Sequence, residues 1–413
     1  MTNSNWTPEI LAPAGSLEKL KVSVLYGANA VYLGGQKFGL RQASDNFSAQ
    51  ELREGVQFAH SRGAHVYVVL NSFLHDKDLE ELPEFLSLLI ELQVDAVIVS
   101  DLGVITTIQK HSNLVIHLST QASCLNIESA KLWKKMGVTR IVLGREVTIK
   151  EASLIKKETG LEIEMFVHGS MCMSFSGNCV ISNYTQGRDS NRGGCAHSCR
   201  FEYSIDFQNG IPSHNEAQKK AFFMSSKDLE GIRMLSEFIE AGIDSLKVEG
   251  RNKSHYYAGT VSKVYSEAMR FYKTHGHFLS DDLFKWESEL RKISHRDYTS
   301  GSLENYADET SIYNERDQED NEYVVSGVVL EVKESDYLLI EVRSAFYPGE
   351  TLEIMPFVGE ILEHKIPSIQ TISGTLIEKS KPGSVVKIDY MAGAEKYNLI
   401  RKKIKAMPLE AAL

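Results

Sequence analysis

His65-Val66-Tyr67-Val68-Val69-Leu70, an amphipathic stretch over Leu79–Leu92, and Ala96-Val97-Ile98-Val99-Ser100 decide the fold class. The two short runs are β-branched and almost continuously apolar, as in parallel strands covered on both faces. The stretch between them carries the 3.6-residue apolar spacing of a helix, so the three pieces form a strand–helix–strand crossover. The rhythm continues on either side. Strands are expected at Glu9–Pro13, Ala30–Leu33, Leu114–Leu118, Arg140–Leu143, Glu162–Val167 and Ser245–Val248. Ser16 caps the first helix, Ala49–Arg62 supplies another, and His255–Tyr272 is the last. Eight strands with helical crossovers predict an α/β chain with a (β/α)8 TIM-like barrel over residues 9–275. An open doubly wound sheet would need a Gly-rich phosphate turn, which Ala12-Pro13-Ala14-Gly15-Ser16 matches poorly.

One connection breaks the rhythm. After the seventh strand nearly 60 residues pass before the next clear helix, expected at Leu229–Ala241. Structureless connections of that length are uncommon in compact domains and are usually functional. A cysteine-rich insertion is therefore expected at about 169–226, with Phe201–Phe207 and Ala221–Met224 as a hairpin. Residues 276–321 read as a linker, first helical (Asp281–Ile293), then acidic, with seven acids against Arg316 between Asp308 and Glu322. Residues 322–405 change to short strands split by Gly, Pro and acidic turns, a small all-β barrel domain. Residues 1–8 and 406–413 read as tails.

Net charge is −10, with 45 basic against 55 acidic side chains, which argues against indiscriminate nucleic-acid binding but leaves room for local basic patches. No apolar run reaches the roughly 18–20 residues of a membrane span. The start, Met1-Thr2-Asn3-Ser4-Asn5, shows no secretory leader, so a cytoplasmic protein is expected.

Four of the five cysteines, Cys172, Cys179, Cys195 and Cys199, are spaced C-x6-C-x15-C-x3-C among glycines. Converging thiolates repel unless a metal neutralises them, and a disulfide set is unusual in a cytoplasmic chain. Structural zinc usually takes C-x2–4-C pairs. The wider first spacing suits a 4Fe-4S cluster better, with zinc and free structural thiols as the other readings. Cys124 lies just past the fifth strand and is either an inert buried thiol or a reserve ligand.

Barrel enzymes take their reacting groups from strand C-termini. Here these carry Asn71, Asp101, Gln121, Arg145, Glu146, His168, Lys247, Glu249 and Arg251. Arg41, Arg145, Lys247 and Arg251 would form a cationic mouth for a carboxylate or phosphate ligand. His168 and Glu249 are the catalytic candidates, although several of these groups could instead be structural ion pairs.

The run Glu164-Met165-Phe166-Val167-His168-Gly169-Ser170-Met171-Cys172, followed by Gly177-Asn178-Cys179-Val180-Ile181-Ser182, resembles the signature of the collagenase-like U-type peptidase family. Leu11–Gly15, Arg188-Asp189, Asn191–Cys195, Ser226–Leu229 and Lys247–Arg251 also look like that family, so the likeness extends over roughly 9–400. Its most similar branch comprises tRNA hydroxylation proteins. That implies an enzyme making 5-hydroxyuridine at the tRNA wobble position without dioxygen, with prephenate as hydroxyl donor and a 4Fe-4S cluster. Ribosomal RNA hydroxylation and peptide hydrolysis are the alternatives, and a required partner protein is left open. Some relatives carry a cysteine where Glu230 stands here, so the fourth ligand is assigned to Cys199 by spacing, with Cys124 in reserve. No H-E-x-x-H, G-x-S-x-G elbow or clear Cys–His pair supports a peptidase. Arg188, Arg192, Arg200, Lys402 and Lys403 are expected to contact RNA phosphates.

Overall fold

The structure is a computed structural model that describes residues 6–40, 46–204, 220–222, 224–308, 313 and 322–404. Its contacts divide the chain into one unit of Met1–Glu287 with His295–Glu319, and a second of Ser288–Ser294 with Asp320–Leu413.

In the first unit seven strands lie parallel and in sequence order: β1 (Glu9–Pro13), β2 (Ala30–Leu33), β3 (His65–Leu70), β4 (Ala96–Val99), β5 (Ile116–Leu118), β6 (Arg140–Val142) and β7 (Glu162–Ser170). A short hairpin, β8 (Tyr203–Ser204) with β9 (Lys220–Ala221), and β10 (Asp228–Glu230) precede β11 (Ser245–Val248). β11 pairs in parallel with both β7 and β1, which closes an eight-stranded barrel. Its strands are buried almost throughout, because helices cover the outer face. These are α1 (Leu17–Leu25), α2 (Ala49–His60), α3 (Asp76–Glu91), α4 (Leu102–His111), α5 (Ile127–Lys135), α6 (Ile149–Thr159), α8 (Leu235–Glu240) and α9 (His255–His275), while α7 (Ile181–Gln186) belongs to the insertion. Local sequence sets their starts. The Ser16 hydroxyl accepts from Lys19 N, and Ser48 with Glu51 and Thr148 with Glu151 form reciprocal capping boxes.

The expected helix over Leu229–Ala241 starts later than its sequence suggests. Asp228–Glu230 pair antiparallel with the extended end of β7, Leu229 opposite Gly169 and Glu230 opposite His168, and α8 begins only at Leu235. Tertiary pairing overrides helical spacing there. Of the expected insertion hairpin, residues 205–219 lie outside the described residues, as does most of the acidic linker. α10 (Ser280–Leu290) and a two-residue strand, β12 (Tyr298–Thr299), follow the barrel.

The second unit is a curled antiparallel sheet of β13 (Tyr323–Lys333), β14 (Tyr337–Val342), β15 (Thr351–Met355), β16 (Leu362–Lys365), β17 (Ile369–Thr371), β18 (Leu376–Ile377), β19 (Val385–Asp389) and β20 (Leu399–Lys403). Val329, Leu338, Ile340, Phe346, Leu352, Ile354 and Ile400 fill its core. Near its end Leu399–Lys403 form β20 between β13 and β15, and Arg401 is fully buried against Glu353 and Glu289, whereas the sequence presents Lys402 and Lys403 only as RNA-facing cations.

Candidate functional site

The barrel strands deliver side chains from their C-terminal ends into one cavity of about 180 Å³. Tyr32, Val69, Ile98, Val142 and Phe166 form its aromatic and aliphatic floor. Asn71, Gln121, Arg145, Lys247, Glu249 and Arg251 add polar groups, and Cys172, Cys179, Cys195 and Cys199 from the insertion line the same space.

Glycines set the close approaches that build it. Gly169 has φ +104°, and a Cβ there would come within 2.1 Å of the Glu249 carbonyl, so only glycine lets the end of β7 lie against the loop after β11. A Cβ on Gly194 would lie 2.6 Å from Asp189 O, in the turn that leads into Cys195. The insertion is tied down over neighbouring loops: Phe73 N donates to Asn191 O at 3.0 Å, Ser176 N to Glu146 Oε1 at 2.7 Å, and Asn178 Nδ2 to Ser123 Oγ at 3.1 Å. Glu146 thus anchors the insertion, and Asp101 caps α4.

The four thiols are unbonded to one another, yet near enough to repel as thiolates. Burial and that repulsion raise Cys172 and Cys199 above the ordinary thiol range, while Arg145 and Arg200 pull them back respectively. Among the described residues no three His, Cys, Asp or Glu side chains already stand together as ligands of a single ion. The donor set fits a group larger than one ion: four sulfurs around a shared cavity, with Arg145 and Arg200 to balance the negative charge of a thiolate-bound cluster. Cys124 is 1% exposed, does not line the cavity, and is pushed up to about 11 by burial.

The cationic groups are not equivalent. Lys247 Nζ bonds Glu164 Oε1 at 2.6 Å beneath the cavity and lies 4.4 Å from the Tyr32 ring centre, so its charge is already compensated. Arg251 Nη2 donates to Asn46 Oδ1 at 2.7 Å. Arg145 stacks 3.6 Å above the Phe166 ring and donates from Nη2 to Ser170 O at 3.2 Å, while its buried Nε has no partner among the described residues. Glu249 is fixed by the Tyr32 hydroxyl, which donates to its Oε2 at 3.2 Å and to Val248 O at 3.0 Å. Arg41 lies outside the described residues.

His168 does not reach the cavity. It is 1% exposed and packed among Tyr257, Tyr265 and Tyr298, and burial pushes its pKa down to about 3. The substrate access that an acid–base role requires is absent from this position; a buried neutral ring is what the packing supports. Of the expected RNA contacts, Arg192 pairs with Asp78 at 2.9 Å and Lys402 with Glu350 at 2.8 Å, whereas Arg188 is exposed. Sequence reading missed Tyr32 and Phe166, which looked like ordinary strand residues. In the second unit, Tyr347, Pro348, Thr351, Lys402, Lys403 and Ile404 line an open cleft, with Lys379 5.3 Å from the Tyr347 ring centre.

This architecture has relatives. The sequence matches the model of peptidase family U32 over residues 15–313 and that of the U32 C-terminal domain over 321–401. The chain belongs to peptidase family U32. It is 38% identical to tRNA hydroxylation protein P1 of Bacillus subtilis, over 96% of this chain and 94% of that one. It is 36% identical to the 23S rRNA 5-hydroxycytidine C2501 synthase of Escherichia coli, over 65% of this chain and 40% of that one. A collagenase of Porphyromonas gingivalis is 29% identical over 71% of this chain and 72% of its own length. A solved U32 peptidase structure overlaps 60% of this chain and 96% of its own at 15% identity, with a TM-score of 0.40. No described helix is long and apolar enough to cross a membrane.

Proposed function

We propose that this U32 chain hydroxylates RNA without dioxygen, forming 5-hydroxyuridine at the tRNA wobble position with a prephenate-type dicarboxylate as hydroxyl donor. The observation that carries the reading is the shared cavity: four cysteines, Arg145, Glu249 and Arg251 open onto one space at the strand ends of the barrel. Relatives named for tRNA and ribosomal RNA hydroxylation support the reaction class.

Cys172, Cys179, Cys195 and Cys199 would hold a 4Fe-4S cluster. When bound, it supplies an iron centre able to polarise an oxygen ligand or exchange an electron. The remaining chemistry belongs to the chain. Arg145 offers a carboxylate its unpartnered Nε–H, and its Phe166 platform fixes the guanidinium plane. Arg251, steadied by Asn46, provides the second positive charge. Hydroxyl transfer from a donor R–OH to uridine C5–H balances as R–H plus C5–OH: the donor's C–O bond breaks and its carbon keeps the two electrons that uridine loses. The proton leaving C5 ends on that carbon, and Glu249, held at the cavity wall by Tyr32, is placed to relay it. The apolar floor excludes water from that exchange. His168 supports the wall from behind.

RNA affinity in a chain of net charge −10 must come from local patches. Exposed Arg188 is one such group in the barrel unit. In the second unit, Tyr347 with Lys379, Lys402 and Lys403 has the aromatic-plus-cation composition that suits stacked bases and phosphates. The deciding measurement is nucleoside mass spectrometry of tRNA from a deletion strain. Loss of 5-hydroxyuridine-derived nucleosides, restored by the wild-type copy and not by Cys179→Ala, supports the reading. Unchanged tRNA with gelatin cleavage by iron-free protein would establish the hydrolase instead, and loss confined to ribosomal RNA would change only the substrate.

A further inference from the structure

A second cavity, of about 230 Å³, adjoins the first and shares Ser170, His197, Arg200 and Glu249 with it. Gly250, Asn252 and Lys253 complete its lining. Its walls therefore come from the segments after the seventh and eighth barrel strands, β7 and β11. In (β/α)8 barrels those two connections are the usual place for a phosphate group, because they converge beside a helix N-terminus at the strand ends. Here the following helix, α9, starts at His255 and is capped by the Ser254 hydroxyl, which accepts from Tyr257 N at 3.1 Å. Arg200 and Lys253 bring two permanent positive charges, and His197 and Asn252 bring hydrogen-bonding groups. Glu249 is the one acid in the lining, and it stands in the partition between the two cavities.

We propose that this second cavity is a backbone-phosphate subsite of the RNA substrate, in which Arg200, Lys253 and Asn252 hold the phosphate attached to the target nucleotide while its base enters the first cavity past Glu249. The inference rests on the RNA-modifying reading above and adds the element that reading lacks. A flipped nucleotide must be positioned by its backbone before its base can be presented. Two adjoining cavities with the acid between them match a nucleotide: an apolar-floored chamber for the base and a cationic one for its phosphate. Gly250 allows the loop to lie flat here, since a Cβ at that position would meet the Tyr257 ring at 2.5 Å.

The test uses the full-length, iron-loaded protein and its Lys253→Ala, Lys253→Arg and Asn252→Asp variants. These positions are partly or fully exposed, so folding and iron content should match the parent. Uridine 5′-monophosphate should displace labelled tRNA at concentrations at least tenfold below those needed for uridine. Lys253→Ala should erase that preference, lower tRNA affinity about tenfold, and reduce the slope of log affinity against log salt by about one. Lys253→Arg should retain the preference, and Asn252→Asp should weaken it by adding a negative charge. An unchanged salt slope and an unchanged monophosphate preference in Lys253→Ala would overturn the subsite, whatever the nucleoside analysis shows. Loss of the monophosphate preference in Lys253→Ala, together with unchanged wobble nucleosides in the deletion strain, would preserve the subsite and sink the assigned reaction.

Discussion

Lys247 Nζ sits 2.6 Å from Glu164 Oε1, with Glu164 completely buried and Lys247 5% exposed. This pair lies just inside the cavity-lining layer and is continuous with a polar network deeper in the barrel. Arg140 Nη1 reaches Glu9 Oε1 at 2.8 Å and Glu164 Oε2 at 3.5 Å, and the Tyr67 hydroxyl donates to Glu9 Oε2 at 2.7 Å. A cation that faces a ligand cavity is therefore already neutralised from below.

Breaking that pair from one side strands a charge. Glu164→Ala should destabilise the barrel by about 3–5 kcal/mol, the usual cost of leaving a buried ion unpaired. Glu164→Leu combined with Lys247→Met should cost less than Glu164→Ala alone, because no charge is stranded. Urea denaturation of the three proteins checks the order. If the single variant is the more stable, Lys247 is solvated in some way the pair does not reveal.

With Lys247 compensated, anion binding falls chiefly on Arg145. Arg145→Ala should weaken binding of a prephenate-like dicarboxylate at least tenfold, in line with about 1.5–3 kcal/mol for a hydrogen bond to a charged group. Arg145→Lys should recover only part of it, since an ammonium neither stacks on Phe166 in the same way nor presents a planar fork. Calorimetric titration measures both. Equal affinity in all three proteins would remove Arg145 from the ligand site.

These distinctions mark where sequence reading reaches its limit. The eight barrel strands were legible because each is a short apolar run bounded by polar turns, and the cysteine spacing was legible because it is local. The commitment of Lys247 to Glu164 was not, since the partners are 83 residues apart and meet only through the β7–β11 register. β10 was hidden because Asp228 and Glu230 do not look like strand residues until β7 offers them a partner. β20 was hidden because the charged run Arg401-Lys402-Lys403 does not look like a strand, whereas Arg401 is buried against two glutamates. His168 stood at a strand end in the sequence, where a one-residue change of register decides between cavity and core. The bulge at Lys247–Val248 lies opposite it.

The buried histidines make stability pH-dependent. Burial, aided by the neighbouring His295 and Lys253, depresses His168 to about 3, and burial beside Arg140 and Lys247 holds His117 well below its usual value. Both rings stay neutral in the folded chain while unfolded histidine protonates below about pH 6.5. Between those limits the unfolded state binds more protons, so stability is fully present above about pH 6.5 and declines as pH falls. The slope approaches about 1.4 kcal/mol per pH unit for each ring. Urea midpoints between pH 7.5 and 5 should show the decline, and His168→Gln should flatten it by about one proton. An unchanged slope in that variant would mean that His168 protonates without cost.

The cysteines allow the sharpest separation. Cys172, Cys179, Cys195 and Cys199 line one cavity, whereas Cys124 is buried away from it with its thiol pushed up to about 11, an unreactive and protonated group. Anaerobically prepared protein should therefore contain about four irons and four sulfides per chain if the cubane assignment holds. Ala at any of the four cavity positions should remove most of both, whereas Cys124→Ala should leave them in place and cost only the packing of a small buried side chain. Iron and acid-labile sulfide assays with visible absorption measure this directly. Retention of the cluster in Cys199→Ala together with its loss in Cys124→Ala would exchange the two ligands and require the loop after β5 to turn toward the cavity. Stoichiometric zinc without sulfide in anaerobic preparations would replace the cluster with a structural ion, and the hydroxylation chemistry would then lose its iron centre.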